Sequence, residues 1–244
     1  VSKAPAAFLY LVLASMPPVL AQVDALTFKV IRKWELKESE RQFGAGLALQ
    51  NGDLLMATLG ERHSGSTTAA SALVRLRVAP GGKLLRMGEV LVPTGDVSCG
   101  FLDDDQTDVA YFGTASNPAA LVKVNTGKWS DKSVLNTLSL APGEGPIVSC
   151  SLDAHRKYAY LALGGRAGRI VTVSVRDGEF RRIPGFLRAP GHLVASASTP
   201  SSHGPPFFAT SRRSEPPLPE AFYRSDTPAL PDEQHILRLD DATG

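Results

Sequence analysis

The chain is poor in the features that announce a chemistry. Two cysteines in 244 residues exclude a disulfide-built miniprotein and a four-cysteine zinc site. Neither sign of charge dominates: 26 Lys and Arg stand against 24 Asp and Glu, a formal net charge of +2. That balance argues against a nucleic-acid binder held by phosphate neutralisation and against an acidic or basic tail. The five histidines, His63, His155, His192, His203 and His235, are far apart with no paired spacing, so no metal site and no cofactor are expected. No Gly-x-Ser-x-Gly elbow occurs, and no asparagine stands in an N-x-Ser/Thr frame. Beyond Ala25 no apolar run is long enough to span a bilayer. Helical periodicity is missing from the body, which excludes helical solenoids. What is present is a hydrophobic fraction of 43%, enough for a core and too much for global disorder. The 22 glycines and 18 prolines exceed the average share, so turns are frequent.

The N-terminus has the pattern of an address. Val1 to Ala21 carries one cation, Lys3, then runs apolar from Ala4 to Ala14; Pro17-Pro18 interrupts it before Val19-Leu20-Ala21. Those last residues resemble the approach to a signal-peptidase cut. Residues 1–21 are therefore expected to form an apolar helix, acting as a signal peptide or a membrane-anchoring segment. The expected location is the secretory pathway, outside the cell or in an organelle lumen, with membrane association if the segment is retained.

The rest of the chain repeats. Four segments alternate with period two: Leu73–Val78, Leu121–Asn125, Ile170–Val175 and Ile236–Asp240. One face of each is aliphatic (Val74/Leu76, Val122/Val124, Val171/Val173, Leu237/Leu239) and the other mixed or polar, the mark of a half-buried strand. Their anchors are 48, 49 and 66 residues apart, and Leu26–Val30 is a candidate fifth copy. A strand precedes each, aligned on Met56, Tyr111, Tyr160 and Phe208. Ahead of that lies an element ending in a turn, such as Gly46–Asp53 with its Asn51-Gly52 hairpin dipeptide. A fourth strand follows at Leu84–Met87, Val134–Leu138 and Phe180–Ile183, and Lys33–Leu36 is a matching candidate near the start. Four strands in about 45 to 50 residues, repeated in tandem, is the unit of a β-propeller blade. The expected fold is all-β: a propeller of about four four-stranded blades, or part of a larger ring, over residues 26–244. A β-sandwich is the rival, but it does not require register-matched copies. Cys99 and Cys150 fall at the same place in successive units and are read as two buried free thiols, because a bridge needs Cα atoms within about 7 Å.

The stretch Val109-Ala110-Tyr111-Phe112-Gly113-Thr114, then Asn117-Pro118, then Leu121-Val122-Lys123-Val124-Asn125 resembles the tyrosine-rich repeat of YVTN-type β-propellers. The resemblance covers about residues 97–176. It implies a blade fold and often a secreted or surface setting, and it brings no catalytic set with it.

Function is expected in the loops. Second-to-third strand connections leave each blade on one face, and two are long: Gly60–Ser71 and the proline-dense insertion at 211–234. Loops on a rigid scaffold commonly carry binding. Arg62, His63, Arg166, Arg212 and Arg213 would project there, with Phe222 and Tyr223 as an apolar foot, offering contacts to a protein partner bearing acidic groups. Solvated loop charge is the competing reading. Gly164–Gly168 lacks the Lys-Ser/Thr and the helix of a phosphate loop and reads as a hairpin. Asp103–Asp108 lacks the glycine and glutamate of a calcium loop and reads as an acidic turn. The resulting expectation is a non-catalytic scaffold, in one version an accessory subunit at a membrane complex. The alternative is a lactonase- or hydrolase-like propeller enzyme with or without a metal, for which Asp103, Glu144 and Asp153 are the candidate carboxylates.

Overall fold

The computed structural model describes residues 8–13, 15, 17–37, 43–58, 71–92, 94–103, 106, 108–153, 157–164, 168–176, 179–189, 192–197, 207–211 and 234–238, with side chains up to Leu187. Every regular element among them is a β-strand, so the all-β expectation holds. The strands form five antiparallel sheets, and sequence order is spatial order in nearly all of them. The first sheet holds β1 (Phe8–Leu13), β2 (Val19–Asp24) and β3 (Val30–Glu35). The second holds β4 (Phe43–Ala48), β5 (Leu54–Thr58), β6 (Ser71–Val78) and β7 (Leu84–Val92). The third holds β8 (Val97–Leu102), β9 (Val109–Thr114), β10 (Ala120–Asn125) and β11 (Val134–Ser139). In the fourth, β12 (Ile147–Asp153), β13 (Tyr158–Leu163), β14 (Gly168–Ser174) and β15 (Arg181–Arg182) follow in order, and β16 (Leu187–Ala189) also pairs with β14. The fifth holds β17 (His192–Ala197), β18 (Phe207–Ser211) and β19 (Gln234–Arg238). The chain divides into two compact units, residues 1–97 with 129–133, and residues 98–128 with 134–244.

The aligned anchors sit where the repeat places them. Met56 pairs with Val74 in the second sheet, and Tyr160 with Thr172, next to Val171, in the fourth. The Asn51-Gly52 turn closes by hydrogen bonds from Gly52 N–H to the Leu49 carbonyl (2.9 Å) and from Leu49 N–H to the Asp53 carbonyl (2.8 Å). Only Gly52 takes a positive φ, 83°, a backbone state that costs glycine nothing.

The structure corrects the N-terminal expectation. Residues 8–13 are a strand, not a helix. Pro17-Pro18 ends the apolar run and the chain folds back, so that β1 and β2 pair from Phe8 opposite Asp24 to Leu13 opposite Val19. Tyr10 and Val12 turn toward a core of Leu20, Leu54, Met56, Val74 and Leu76, and the Gln22 amide donates to the Tyr10 hydroxyl (3.1 Å). The strand form wins over helix here because Tyr10 and Val12 reach the core together only when residues i and i+2 share a face. A cut after Ala21 would fall inside β2.

The candidate fifth copy at Leu26–Val30 is also corrected. The Asp24 carboxylate accepts the N–H groups of Leu26 (2.9 Å) and Thr27 (2.7 Å), and Phe28 has φ 53°. That is an Asx-type turn, and the real strand partners flank it as β2 and β3. The expected Lys33–Leu36 strand is present as β3.

In the second unit the core is built on Tyr111, Leu121, Ile147, Leu161 and Val171, with Phe101 stacked on Tyr111 at 5.1 Å. Cys99 and Cys150 are not free thiols. They form a disulfide with Cα atoms 5.8 Å apart, joining β8 to β12, because equivalent first strands of the third and fourth sheets are neighbours. Ser98 Oγ reinforces the contact, donating to the Ile147 carbonyl (2.7 Å). The first strand of the fifth sheet, β17, lies against β12 in turn.

Candidate functional site

Two of the connections between second and third strands are rooted by a buried threonine, Thr58 and Thr114. Thr58 Oγ1 donates to the Ala72 carbonyl (3.1 Å) across the mouth of the β5–β6 loop. Thr114 Oγ1 shares a hydrogen bond with Ser116 Oγ (2.8 Å) and accepts the Ala120 N–H (2.8 Å). The loop roots are therefore fixed by side chains that β-strand alternation turns inward.

The expected contact residues themselves, Arg62, His63, Arg166, Arg212, Arg213, Phe222 and Tyr223, lie outside the described residues. Their places in the chain are nevertheless shared. Arg62 and His63 fall in the β5–β6 connection, Arg166 in β13–β14, and the other four in β18–β19, always from second to third strand of a sheet.

At the opposite end of the sheets, the turns between first and second strands carry ion pairs that sequence reasoning missed. Asp53, just past the hairpin glycine, is fully buried. It receives the Arg75 side chain at 2.6 Å and Arg77 Nε at 2.6 Å, with Arg77 Nη2 at 2.8 Å. The Arg77 guanidinium holds the Asp53 carboxyl below the usual carboxylate range against the opposing pull of burial, and Arg75 adds to the effect. Arg77 is raised in return, by the same hydrogen bond. The face of β6 read as polar is thus not all solvent-facing: Arg75 is buried. The signal was present in the sequence as an acid two residues beyond Asn51 with basic residues at alternate positions of the third strand, but pairing them needs the register of β5 on β6.

Among the three candidate carboxylates, two are committed to cations. Asp103 binds Lys157 Nζ at 2.7 Å. Glu144 forms a two-point pair with Arg182, whose Nε lies 2.9 Å from Oε2, and it also accepts the Ala141 N–H (3.0 Å). Asp153 is buried at the end of β12. Among the described residues no cluster of three or more His, Cys, Asp or Glu is placed to hold a metal ion, and no helix is long and apolar enough to cross a membrane.

A groove of about 490 Å³ opens in the first unit between β1–β2 and β4–β5. Tyr10, Val12 and Leu20 form one wall; Phe43, Leu54 and Met56 form the other. None of its lining residues is charged, so it suits apolar side chains.

No protein-family model matches the chain, and no curated protein matches it.

Proposed function

We propose that the chain is a non-catalytic β-propeller scaffold of the YVTN type that binds a protein partner through its second-to-third strand loops. The observation that carries this reading is the run of antiparallel meanders of three to five strands, in which first and second strands keep five to seven residues while those connections vary. The spacing from second to third anchor is 18, 11, 11 and 29 residues. Neighbouring first strands, linked by the disulfide between β8 and β12 and by the contact of β12 with β17, are what adjacent blades bring together at their inner edges. The ion pairs of Asp103 and Glu144 support the scaffold over the enzyme, since each carboxylate already neutralises a cation.

The same disulfide supports a location in an oxidising compartment, the secretory pathway or an organelle lumen, where such a scaffold would serve as an accessory subunit, at a membrane complex in the sharpest form of the reading. Reversing charge at Arg62, Arg166 and Arg212 together is expected to weaken partner capture by cross-linking at least tenfold while leaving the thermal melt in place. Unchanged capture overturns the assignment to this face. A crystal structure with the sheets in two facing layers overturns the propeller.

A further inference from the structure

The turn between β2 and β3 combines a strained backbone with apolar side chains in solvent. Leu26 and Phe28 are 80% and 73% exposed, the two most exposed large hydrophobic side chains among the described residues. Phe28 also has φ 53°, a left-handed state that glycine takes freely and a bulky residue takes at a cost. With its ring in solvent, Phe28 makes no core contact that offsets that cost. Strain of this kind, held in place by its surroundings, clusters at functional sites.

The groups that hold it are local. The Asp24 carboxylate accepts the N–H groups of Leu26 and Thr27. Phe28 N–H donates to the Asp24 carbonyl (2.9 Å), and Asp24 N–H donates to the Lys29 carbonyl (2.9 Å). Just below, Gln22 and Val23 are buried, so the turn stands on a fixed base. The one acid of the turn is thereby directed inward. Lys29, and then Arg32 and Lys33 of β3, are exposed and have no carboxylate partner among the described residues. Val30 and Ile31 continue the exposed apolar surface between these cations.

We propose that this turn is a membrane-contacting tip: Leu26 and Phe28 enter the headgroup boundary of an anionic bilayer, and Lys29, Arg32 and Lys33 meet its negative headgroups. In interfacial binding, burial of apolar side chains supplies one part of the affinity and attraction between cations and anionic lipid the other. The exposures of Leu26 and Phe28 show that the chain itself does not cover them. A second copy in a symmetric contact sets the three cations against their own equivalents. A protein partner needs pockets shaped to two outward side chains, whereas a bilayer receives any exposed apolar tip. The backbone groups of the turn named above are already hydrogen-bonded, so no strand is added here. This contact goes beyond the scaffold reading and does not rest on it. It also differs from the anchor expected at residues 1–21.

The test is co-sedimentation of the full chain with vesicles of phosphatidylcholine, alone or mixed with phosphatidylserine. Saturable binding to the mixed vesicles is expected, at least tenfold tighter than to phosphatidylcholine alone and weakening as salt is raised. Phe28→Gly removes the ring and relieves the left-handed strain, so the melting temperature is expected to hold or rise while binding falls at least tenfold. Leu26→Asp is expected to weaken binding similarly. Phe28→Trp is expected to retain binding, with the fluorescence it adds to wild type quenched by brominated acyl chains. Failure to bind either vesicle, equal binding by Phe28→Gly, or no acyl-chain quenching overturns the proposal. Equal binding to both vesicles overturns the anionic assignment. Concentration-dependent dimerisation that Phe28→Gly abolishes overturns the bilayer in favour of a second copy.

Discussion

Asp53 shows how much one buried carboxylate can organise. It sits at the end of a hairpin turn, where an acid is ordinary, but its two oxygens are shared between a buried and a half-exposed arginine. Removing one member of such a group leaves an uncompensated charge, which costs more than the pair itself contributes. Asp53→Asn is expected to destabilise the protein by about 3 kcal/mol, read as a lower urea midpoint with unchanged slope. The pH dependence has a definite sign. Because folding depresses the Asp53 pKa, its contribution is complete above the unfolded value near pH ~4 and disappears as the pH falls through the lower folded value. Wild type and Asp53→Asn are therefore expected to begin converging in stability in urea melts as the pH falls below about 4, and to meet only below the depressed folded value. A gap that persists at acid pH contradicts the ion-pair account.

The strands of the second to fourth sheets were legible because each has an aliphatic face that recurs at a fixed interval, and turn residues such as Asn51-Gly52 mark where they reverse. The first sheet was not, for a physical reason. Phe8–Leu13 is apolar at every position, so periodicity does not separate helix from strand, and only the pairing with β2 decides. Leu26–Phe28 imitates the start of an anchor strand but is captured by the Asp24 carboxylate. The cysteine bridge was missed because residue spacing reports position within a sheet and not the distance between sheets. With its ends 51 positions apart in the sequence, that bridge removes loop-closure entropy worth about 4 kcal/mol from the unfolded chain. Replacing Cys99 and Cys150 together by serine is expected to lower the guanidinium midpoint by a comparable free energy. Thiol titration of the denatured, unreduced wild type is expected to find no free sulfhydryl in this pair; two free thiols would refute the bridge.

For the whole molecule, the N-terminal hairpin is a structural element of the first unit. Leu20 is fully buried beside Leu54, Met56 and Val74, and the segment 1–21 contains all of β1 and half of β2. A chain beginning at Gln22 is expected to lose at least what a single core leucine contributes, about 3 kcal/mol, and to show it as a depressed thermal melt; an unchanged melt would mean that β1 and β2 add nothing to this unit. The long second-to-third connections stand out in the sequence as lengths, set against first and second strands of five to seven residues. The bridge between β8 and β12 has one more consequence at this scale. Lys128 and Lys132 lie exposed in the connection between β10 and β11, inside the interval that the bridge spans. Trypsin nicking there leaves both fragments covalently tethered, so the clipped protein migrates as one species until a reductant parts it.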